Sequence, residues 1–287
     1  MKIAIYGQTH SEVNSNTFLG LLDLLKEWRV EVFVEKNFHY MMHLEHSVNT
    51  FQELDKSFDI LISIGGDGTI LRAVTFIRDT GIPIVGINTG RLGFLATIPL
   101  DEYKTAIANV LEKKYHLSKR SLLQVSTSLP HPEIRDTNFA LNEIAVSRKN
   151  TTSMITVETH LDDEYLTSYW ADGLILSTPT GSTGYSLSCG GPVITPESNN
   201  FAITPIAPHN LNARPLVIND DTTVRLKVTG RESEFLVSLD SRIVTLPNAC
   251  ELTIKKAAFK IGLVEMPKDS FLKTLRKKLL WGEDKRN

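Results

Sequence analysis

The stretch Asp59-Ile-Leu-Ile-Ser-Ile-Gly-Gly-Asp-Gly-Thr-Ile-Leu-Arg72 most limits what this chain can fold into. It opens with an apolar-rich run of strand length and passes through a turn of glycines that holds one acid. It continues over residues 69–78, where Ile70, Leu71, Val74 and Ile77 share one helical face. Strand, glycine turn and helix make a parallel α/β unit. Ligands of such folds sit at the carboxyl ends of the strands, where this turn lies. Without Cβ atoms the backbone takes positive φ angles and lets a ligand approach closely. Its amides then form a concave anion site, helped by the positive end of the helix dipole. Asp67 is the odd member, because a carboxylate repels phosphate unless a metal lies between them or unless it addresses a hydroxyl. Both alternatives point to phosphoryl transfer, in which an acid accepts the nucleophile's proton. A tight turn with a helix-capping Asp is the plainer account of the same residues. The stretch is no Walker A loop, since no Gly-Lys-Ser/Thr follows, and Leu71 takes the place of the third glycine of G-x-G-x-x-G.

The surrounding chain extends the α/β pattern. Residues 2–7 and 30–35 read as strands. Residues 14–28 carry Phe18, Leu21, Leu22 and Leu25 at helical spacing, with Asn14, Ser15 or Asn16 as the cap. His39, His43 and His46 stand at i, i+4 and i+7, a spacing open to a metal site and equally to a histidine-rich helix face. Residues 82–87 form a further strand, followed by a second glycine loop, Asn88-Thr-Gly-Arg-Leu-Gly93, expected beside the first. Arg91 there either serves an anion or holds the loop. Residues 101–114 make a helix with Tyr103, Ile107, Val110 and Leu111 inward. Strand–helix alternation to this point argues a Rossmann-like domain over residues 1–117.

From 118 to 267 the period is mostly two, with strands at 122–127, 140–146, 155–160, 223–228, 234–239 and 252–254. This reads as an all-β, sandwich-like domain. Asp162-Asp163-Glu164 is a solvated hairpin turn. Residues 268–287 hold an amphipathic helix with Phe271, Leu272, Leu275 and Leu279 against Lys273, Arg276, Lys277 and Lys278. It is expected to pack back on the first domain rather than lie on a membrane surface. A length of 287 residues suits two domains. The net charge of -2 makes no electrostatic case for nucleic acid or an anionic membrane. Cys189 and Cys250 make no disulfide framework and fit a reducing compartment. The opening run breaks too soon at Gly7 for a signal peptide, and no apolar run nears the roughly 18–20 residues of a spanning helix. A cytoplasmic protein is expected.

The second unusual segment is Ala171-Asp-Gly-Leu-Ile-Leu-Ser-Thr-Pro-Thr-Gly-Ser-Thr-Gly-Tyr-Ser-Leu-Ser-Cys-Gly-Gly-Pro192. It leaves a strand and becomes a run of small hydroxyl residues and glycines with one aromatic face, Tyr185. Such a run offers donors to a nucleotide's hydroxyls and a surface to its base. Upstream, Asn142-Glu143 puts an amide and a carboxylate in an otherwise apolar strand. That placement is costly without a partner, whether a ligand's ribose or a structural network.

Taken together, Gly65-Gly-Asp-Gly-Thr69, Asn142-Glu143, Asp172-Gly173 and Ser177-Thr-Pro-Thr-Gly-Ser-Thr-Gly-Tyr185, continued through Ser188, Gly190 and Gly191, resemble the NAD kinases in order and spacing over nearly the whole chain. The Gly-Gly-Asp-Gly turn alone also resembles diacylglycerol kinases, sphingosine kinases and 6-phosphofructokinases. The Ser-Thr-Pro-Thr-Gly-Ser-Thr block is more specific. The resemblance implies an α/β domain, a β-rich domain and a terminal segment returning to the first. It also implies a homodimer or homotetramer, and ATP-dependent phosphorylation of the adenosine ribose 2′-hydroxyl of NAD with a divalent metal such as Mg²⁺.

The resemblance implies Asp67 as the proton acceptor, with Gly68 and Arg72 beside the dinucleotide. Gly65, Gly66, Gly68 and Thr69 form the phosphate cradle. Asn142 and Glu143 hold ribose and base, and Asp172 lies on the nicotinamide side. Thr183, Tyr185 and Ser188 line the dinucleotide site, with further contacts from Gly184, Ser186, Leu187 and Ala207. Gly184 and Cys189 stand where the family commonly has alanine. Ser238-Leu-Asp-Ser-Arg242 resembles a late Asp-x-Gln element in which Arg242 replaces glutamine, leaving a ligand contact there open. A lipid kinase with the same turn, or a non-catalytic dinucleotide sensor, are the competing readings. The polar run from Thr178 to Ser188 speaks against the first and Asp67 against the second. The choice between NAD and NADH, and between ATP and polyphosphate, is not legible in the residues.

Overall fold

The computed structural model describes residues 1–9, 11–43, 48–150 and 153–280. The first half runs β1 (Lys2–Gly7), α1 (Glu12–Glu27), β2 (Glu31–Glu35), α2 (Lys36–Met41), β3 (Asn49–Phe51), β4 (Ile60–Ile64), α3 (Asp67–Ile77), β5 (Ile84–Asn88), β6 (Ile98–Pro99) and α4 (Tyr103–Leu111). The middle runs β7 (His116–Thr127), α5 (Pro132–Arg135), β8 (Phe139–Ala140), β9 (Glu143–Arg148), β10 (Ile155–Leu161), β11 (Glu164–Ala171) and β12 (Gly173–Ser177). After a 3₁₀ turn, Thr180–Thr183, come α6 (Tyr185–Ser188), β13 (Asn200–Ile206), β14 (Leu216–Asn219), β15 (Val224–Gly230), β16 (Glu234–Leu239), β17 (Arg242–Pro247), β18 (Leu252–Glu265) and α7 (Phe271–Leu279). The chain divides into two compact units, residues 120–260 and the chain on either side of them. No helix among the described residues is long and apolar enough to cross a membrane.

The first unit is a parallel sheet in the order β3-β2-β1-β4-β5, with the end of β18 pairing β5 at Leu263 opposite Ile84. Every residue of β4 and of β5 is buried, as strands covered on both faces must be. Ile3, Ile5, Ile62 and Ile87 meet Phe18, Leu21 and Leu25 of α1 and Ile107 and Val110 of α4 in one core. On α3 the buried apolar residues are Ile70, Ala73, Val74 and Ile77, while Leu71 is only half-buried. The chain winds outward from β1 through β2 on one side and from β4 through β5 on the other. The glycine turn after β4 therefore opens at the topological switch point, where ligands of such sheets bind.

Two local expectations change. α1 starts at Glu12 and is capped by Ser11, whose Oγ accepts from the Asn14 amide at 3.1 Å. Asn14 instead donates to the Thr9 carbonyl at 2.9 Å. α2 ends at Met41 and His43 has φ 50°, so His39 and His43 do not share a helical face. His46 lies outside the described residues. Glu35, buried at the end of β2, is spent capping α2, accepting from the Phe38 amide at 2.9 Å. α7 is capped by Ser270 and packs within the first unit, its Phe271 ring 6.3 Å from that of Phe94.

The second unit has two sheet layers. One carries β11-β10-β15 and the start of β18, and the other is β14-β13-β12-β9-β16-β17. Val157, Tyr169, Leu226 and Val228 of the first layer share a core with Ile144, Val146, Leu174, Leu176, Phe201, Ile203, Phe235 and Val237 of the second. Alternation along each strand fills that core from one face and frees the other. On β9 and β12 the opposite face carries Glu143 and Ala145, and Ile175 and Ser177, all of them buried. The fold is the expected pair, a Rossmann-like α/β unit and a β-sandwich-like unit with the terminal helix on the first.

Candidate active site

In the first unit, Gly65 takes φ 148°, and a Cβ there would lie 2.2 Å from Thr69 Oγ1. Only glycine satisfies both demands. Gly66 is the N-cap of α3 and makes no side-chain cap. At Gly66 and Gly68 nothing lies within 4 Å of where a Cβ would be. The leading amides of a helix have no partner within it, and here they border open space on the glycine side. Thr69 is buried and Arg72 exposed.

The second glycine loop does lie beside the first, and it seats Asp67. Asp67 Oδ2 accepts from the Phe94 amide at 2.8 Å, and Oδ1 from Leu95 at 3.0 Å and Ala96 at 2.9 Å. Asn88 holds the loop in turn, donating to the carbonyls of Arg91 and Ala96, both at 3.0 Å. Arg91 gives the loop its carbonyl and leaves its side chain exposed. A carboxylate has about four lone-pair sites, so one on Oδ2 stays open to a proton. A Cβ on Gly93 would fall 1.8 Å from Asp67 Oδ1. Gly93→Ala is therefore expected to push Asp67 aside and cut turnover about 10²-fold, the scale of a misplacement near 1 Å, with steady-state kinetics as the check.

In the second unit, Asp240 organises the Asn142-Glu143 pair. Its carboxylate accepts from the amides of Leu141 at 2.9 Å, Asn142 at 2.8 Å and Glu143 at 3.2 Å. The Arg242 guanidinium donates to the carbonyls of Thr137 and Phe139, stands 4.0 Å from Asp240 and lies over the Phe139 ring. Arg242 is thus committed inside the unit. Arg242→Ala is expected to destabilise by about 2–3 kcal/mol, since charge-assisted bonds are lost and buried carbonyls orphaned. A lower urea midpoint would register it.

Glu143 is nearly buried, at 9% exposure. Burial, and then the charge of Asp240, push its carboxyl up to about 8, against a backbone bond from Tyr185 that pulls down. Glu143 Oε2 and Asn142 Oδ1 are buried without a hydrogen-bond partner. A Cβ on Gly184 would sit 3.2 Å from Glu143 Oε2 and 3.5 Å from Asn142 Nδ2, so the 3₁₀ turn lies directly on the pair.

The hydroxyl run is mostly spent on its own fold. Thr178 Oγ1 donates to the Leu141 carbonyl at 2.6 Å, Ser182 Oγ to Pro179 at 2.7 Å, and Ser186 bonds Thr204 at 2.8 Å. Gly181 allows the close approach, since a Cβ there would meet the Asn142 carbonyl at 2.0 Å. Tyr185 and Ser188 remain exposed, with Thr183, Gly184 and Leu187 half-buried. Burial raises the Tyr185 phenol, and the charges of Cys189, Asp172 and Glu143 raise it further. Asp172 is paired with Arg148 at 3.0 Å. Ala207, also exposed, takes φ 43°, a left-handed conformation uncommon for alanine.

A carboxylate seated within a glycine turn at the switch point, in a chain with a polar, aromatic-tipped loop, defines a phosphotransferase acting on an alcohol. Residues 10–115 match the ATP-NAD kinase N-terminal domain and residues 141–266 its C-terminal domain. The chain is 60% identical to an NAD kinase of Christiangramia forsetii and 58% identical to one of Flavobacterium psychrophilum, each over the full length of both chains. It superposes with a TM-score of 0.88 on yeast NADH kinase complexed with NADH, at 23% identity, over 99% of this chain and 89% of that one. The TM-score is 0.75 against an NAD kinase from Archaeoglobus fulgidus in complex with ATP, at 29% identity, over 98% and 99%. The chain belongs to the NAD kinase family, which sets aside the lipid-kinase reading.

The sequence places Asp240 in an Asp-x-Gln-like element with its ligand contact open, but does not show it anchoring the amides of Leu141, Asn142 and Glu143. Asp240 sits in a hairpin turn, and only its register opposite 141–143 reveals its role.

Proposed function

We propose that this chain transfers the γ-phosphoryl group of ATP to the 2′-hydroxyl of the adenosine ribose of NAD, with Asp67 taking the hydroxyl's proton. The observation that carries the reading is the Asp67 carboxylate, fixed by three amides of one loop and beside the open glycines of α3. The fixed acid has an open lone pair on Oδ2 for the proton. The amides of Gly66 and Gly68, with the helix dipole, stabilise charge on the transferring group. Gly65 and Thr69 hold that turn in shape, and Gly68 and Arg72 flank the dinucleotide.

In the second unit, Asn142 and Glu143 receive ribose and base. Their orphaned oxygens are what a ribose hydroxyl or a base amine satisfies. Asp172 addresses the nicotinamide side. Tyr185 offers its ring to a base, with Thr183, Gly184, Leu187, Ser188 and Ala207 around it. Ser186, whose hydroxyl is spent on Thr204, contributes only backbone.

No group of three or more His, Cys, Asp or Glu suited to a metal occurs among the described residues. A divalent metal such as Mg²⁺ would be carried on the triphosphate oxygens of ATP. Such an ion neutralises phosphate charge when bound. The chain acts in the cytoplasm as a homodimer or homotetramer, a reading helped by the exposed Trp170, Leu211 and Val217. Light scattering tests the assembly.

NADP⁺ formation from NAD, ATP and Mg²⁺ tests the reaction, and no product with NAD still bound would overturn it. Tyr185→Ala is expected to weaken NAD binding about tenfold, the scale of one base–aromatic stack. An unaltered affinity by calorimetry would remove Tyr185 from the site.

A further inference from the structure

Beside Glu143 a second buried group lacks a partner. Ser177 ends β12 directly opposite Glu143 of β9 in the antiparallel register. Residues so opposed project from one face, with Cβ atoms about 4.5–5.5 Å apart. Ser177 is 0% exposed, and its Oγ, like Glu143 Oε2, has no hydrogen-bond partner. An orphaned buried hydroxyl is a net loss to stability, so the fold itself gives no reason for a serine here.

The groups facing Glu143 are Asp240, which repels its charge, and Tyr185, whose backbone N–H donates to it. Asp240 in turn faces Arg242, which is committed to the carbonyls of Thr137 and Phe139. On the flanking strands Ala202 lies opposite Ser177, and Ser238 opposite Ala145. These strands bring no cation to this face, and the hydroxyl directly across from Glu143 is that of Ser177.

We propose that Ser177 is a positioning residue for Glu143: its hydroxyl turns to donate to Oε2 when the carboxylate ionises, holding it toward the nucleotide's ribose. This rests on the reading of Glu143 as the ribose contact. The move needs only rotation about the serine Cα–Cβ bond between staggered wells.

The test is a carbon-13 titration of the Glu143 carboxyl in the unliganded full chain, wild type against Ser177→Ala. Ser177→Thr serves as the hydroxyl-retaining control. The wild-type midpoint is expected at about 8. Ser177→Ala is expected to raise it by about one unit, the scale of a lost charge-assisted bond, while Ser177→Thr stays near wild type. Thermal melting of Ser177→Ala should match or exceed wild type, because no native bond is removed. Should that variant fail to fold, Ser177→Cys gives the same comparison with a weaker donor.

An unchanged midpoint, with NAD affinity lost in Glu143→Gln, overturns the role of Ser177 alone. A raised midpoint, with unaltered NAD affinity in both Ser177→Ala and Glu143→Gln, overturns the ribose reading and the positioning role with it.

Discussion

Asp67→Asn is expected to lower NADP⁺ formation by about 10²–10⁴, the usual effect of removing a general base, while NAD affinity stays close to wild type. The geometry adds a second consequence. Asp67 accepts three amide bonds, one of them from Phe94 to Oδ2. In the asparagine the carbonyl oxygen can keep Leu95 and Ala96, but the amide nitrogen then faces the Phe94 N–H, donor against donor. Leaving a donor unsatisfied in a partly buried site costs about 1–3 kcal/mol, so a lower melting temperature is expected alongside the kinetic loss.

The two effects separate by measurement. A base lost from an intact loop lowers kcat with NAD still bound by calorimetry. A loop released from its anchor would lose affinity and turnover together, and would resemble Gly93→Ala, which keeps the carboxylate but displaces it. Turnover within tenfold of wild type in Asp67→Asn would remove the base assignment.

What the sequence disclosed, and what it hid, follow from the range of the forces involved. The strand, turn and helix around Asp67 are local. Apolar periodicity and glycine placement specify them within a dozen residues, and the structure matches there, down to Gly65 at φ 148°. The period-two region likewise gives the sandwich, because each strand must feed one core. The contacts that set the chemistry are long-range. Asp67 meets Phe94–Ala96, and Asp240 meets Leu141–Glu143 about a hundred residues earlier. Nothing local marks an acid in a turn as the anchor of a distant strand. The Ser11 cap was missed because three candidates follow it within the same helix, and a cap is decided by where the helix starts. The hydroxyl run reads as a ligand surface, yet Thr178, Ser182 and Thr183 close on backbone carbonyls and Ser186 on Thr204. Side-chain bonding to neighbouring carbonyls is what serine and threonine do in tight turns.

Glu143→Gln carries the other large expectation. The Glu143 carboxyl is raised from an ordinary 4.5 to about 8, first by burial and then by Asp240. Between those values the folded protein holds a proton that the unfolded chain has released. Stability contributed by the neutral form is therefore fully present below the unfolded value and is lost as pH rises through the folded one. The slope is about 1.4 kcal/mol per pH unit. Glutamine keeps the shape without the charge, so the variant's urea midpoint should be flatter than wild type from pH 5 to pH 8 and higher at the upper end. Burial also raises Asp240, while three amides and Arg242 pull it back, and its part of the pH dependence persists in the variant. Binding carries the opposite sign. Ribose hydroxyls donate to a carboxylate, so NAD favours ionised Glu143 and its binding releases a proton. Wild-type affinity should then tighten as pH rises toward 8, approaching tenfold per unit. In Glu143→Gln it should be weaker and independent of pH. Calorimetry in buffers of different ionisation enthalpy measures the released proton directly. Its absence in wild type would show that Glu143 stays neutral under the nucleotide and acts as a donor instead.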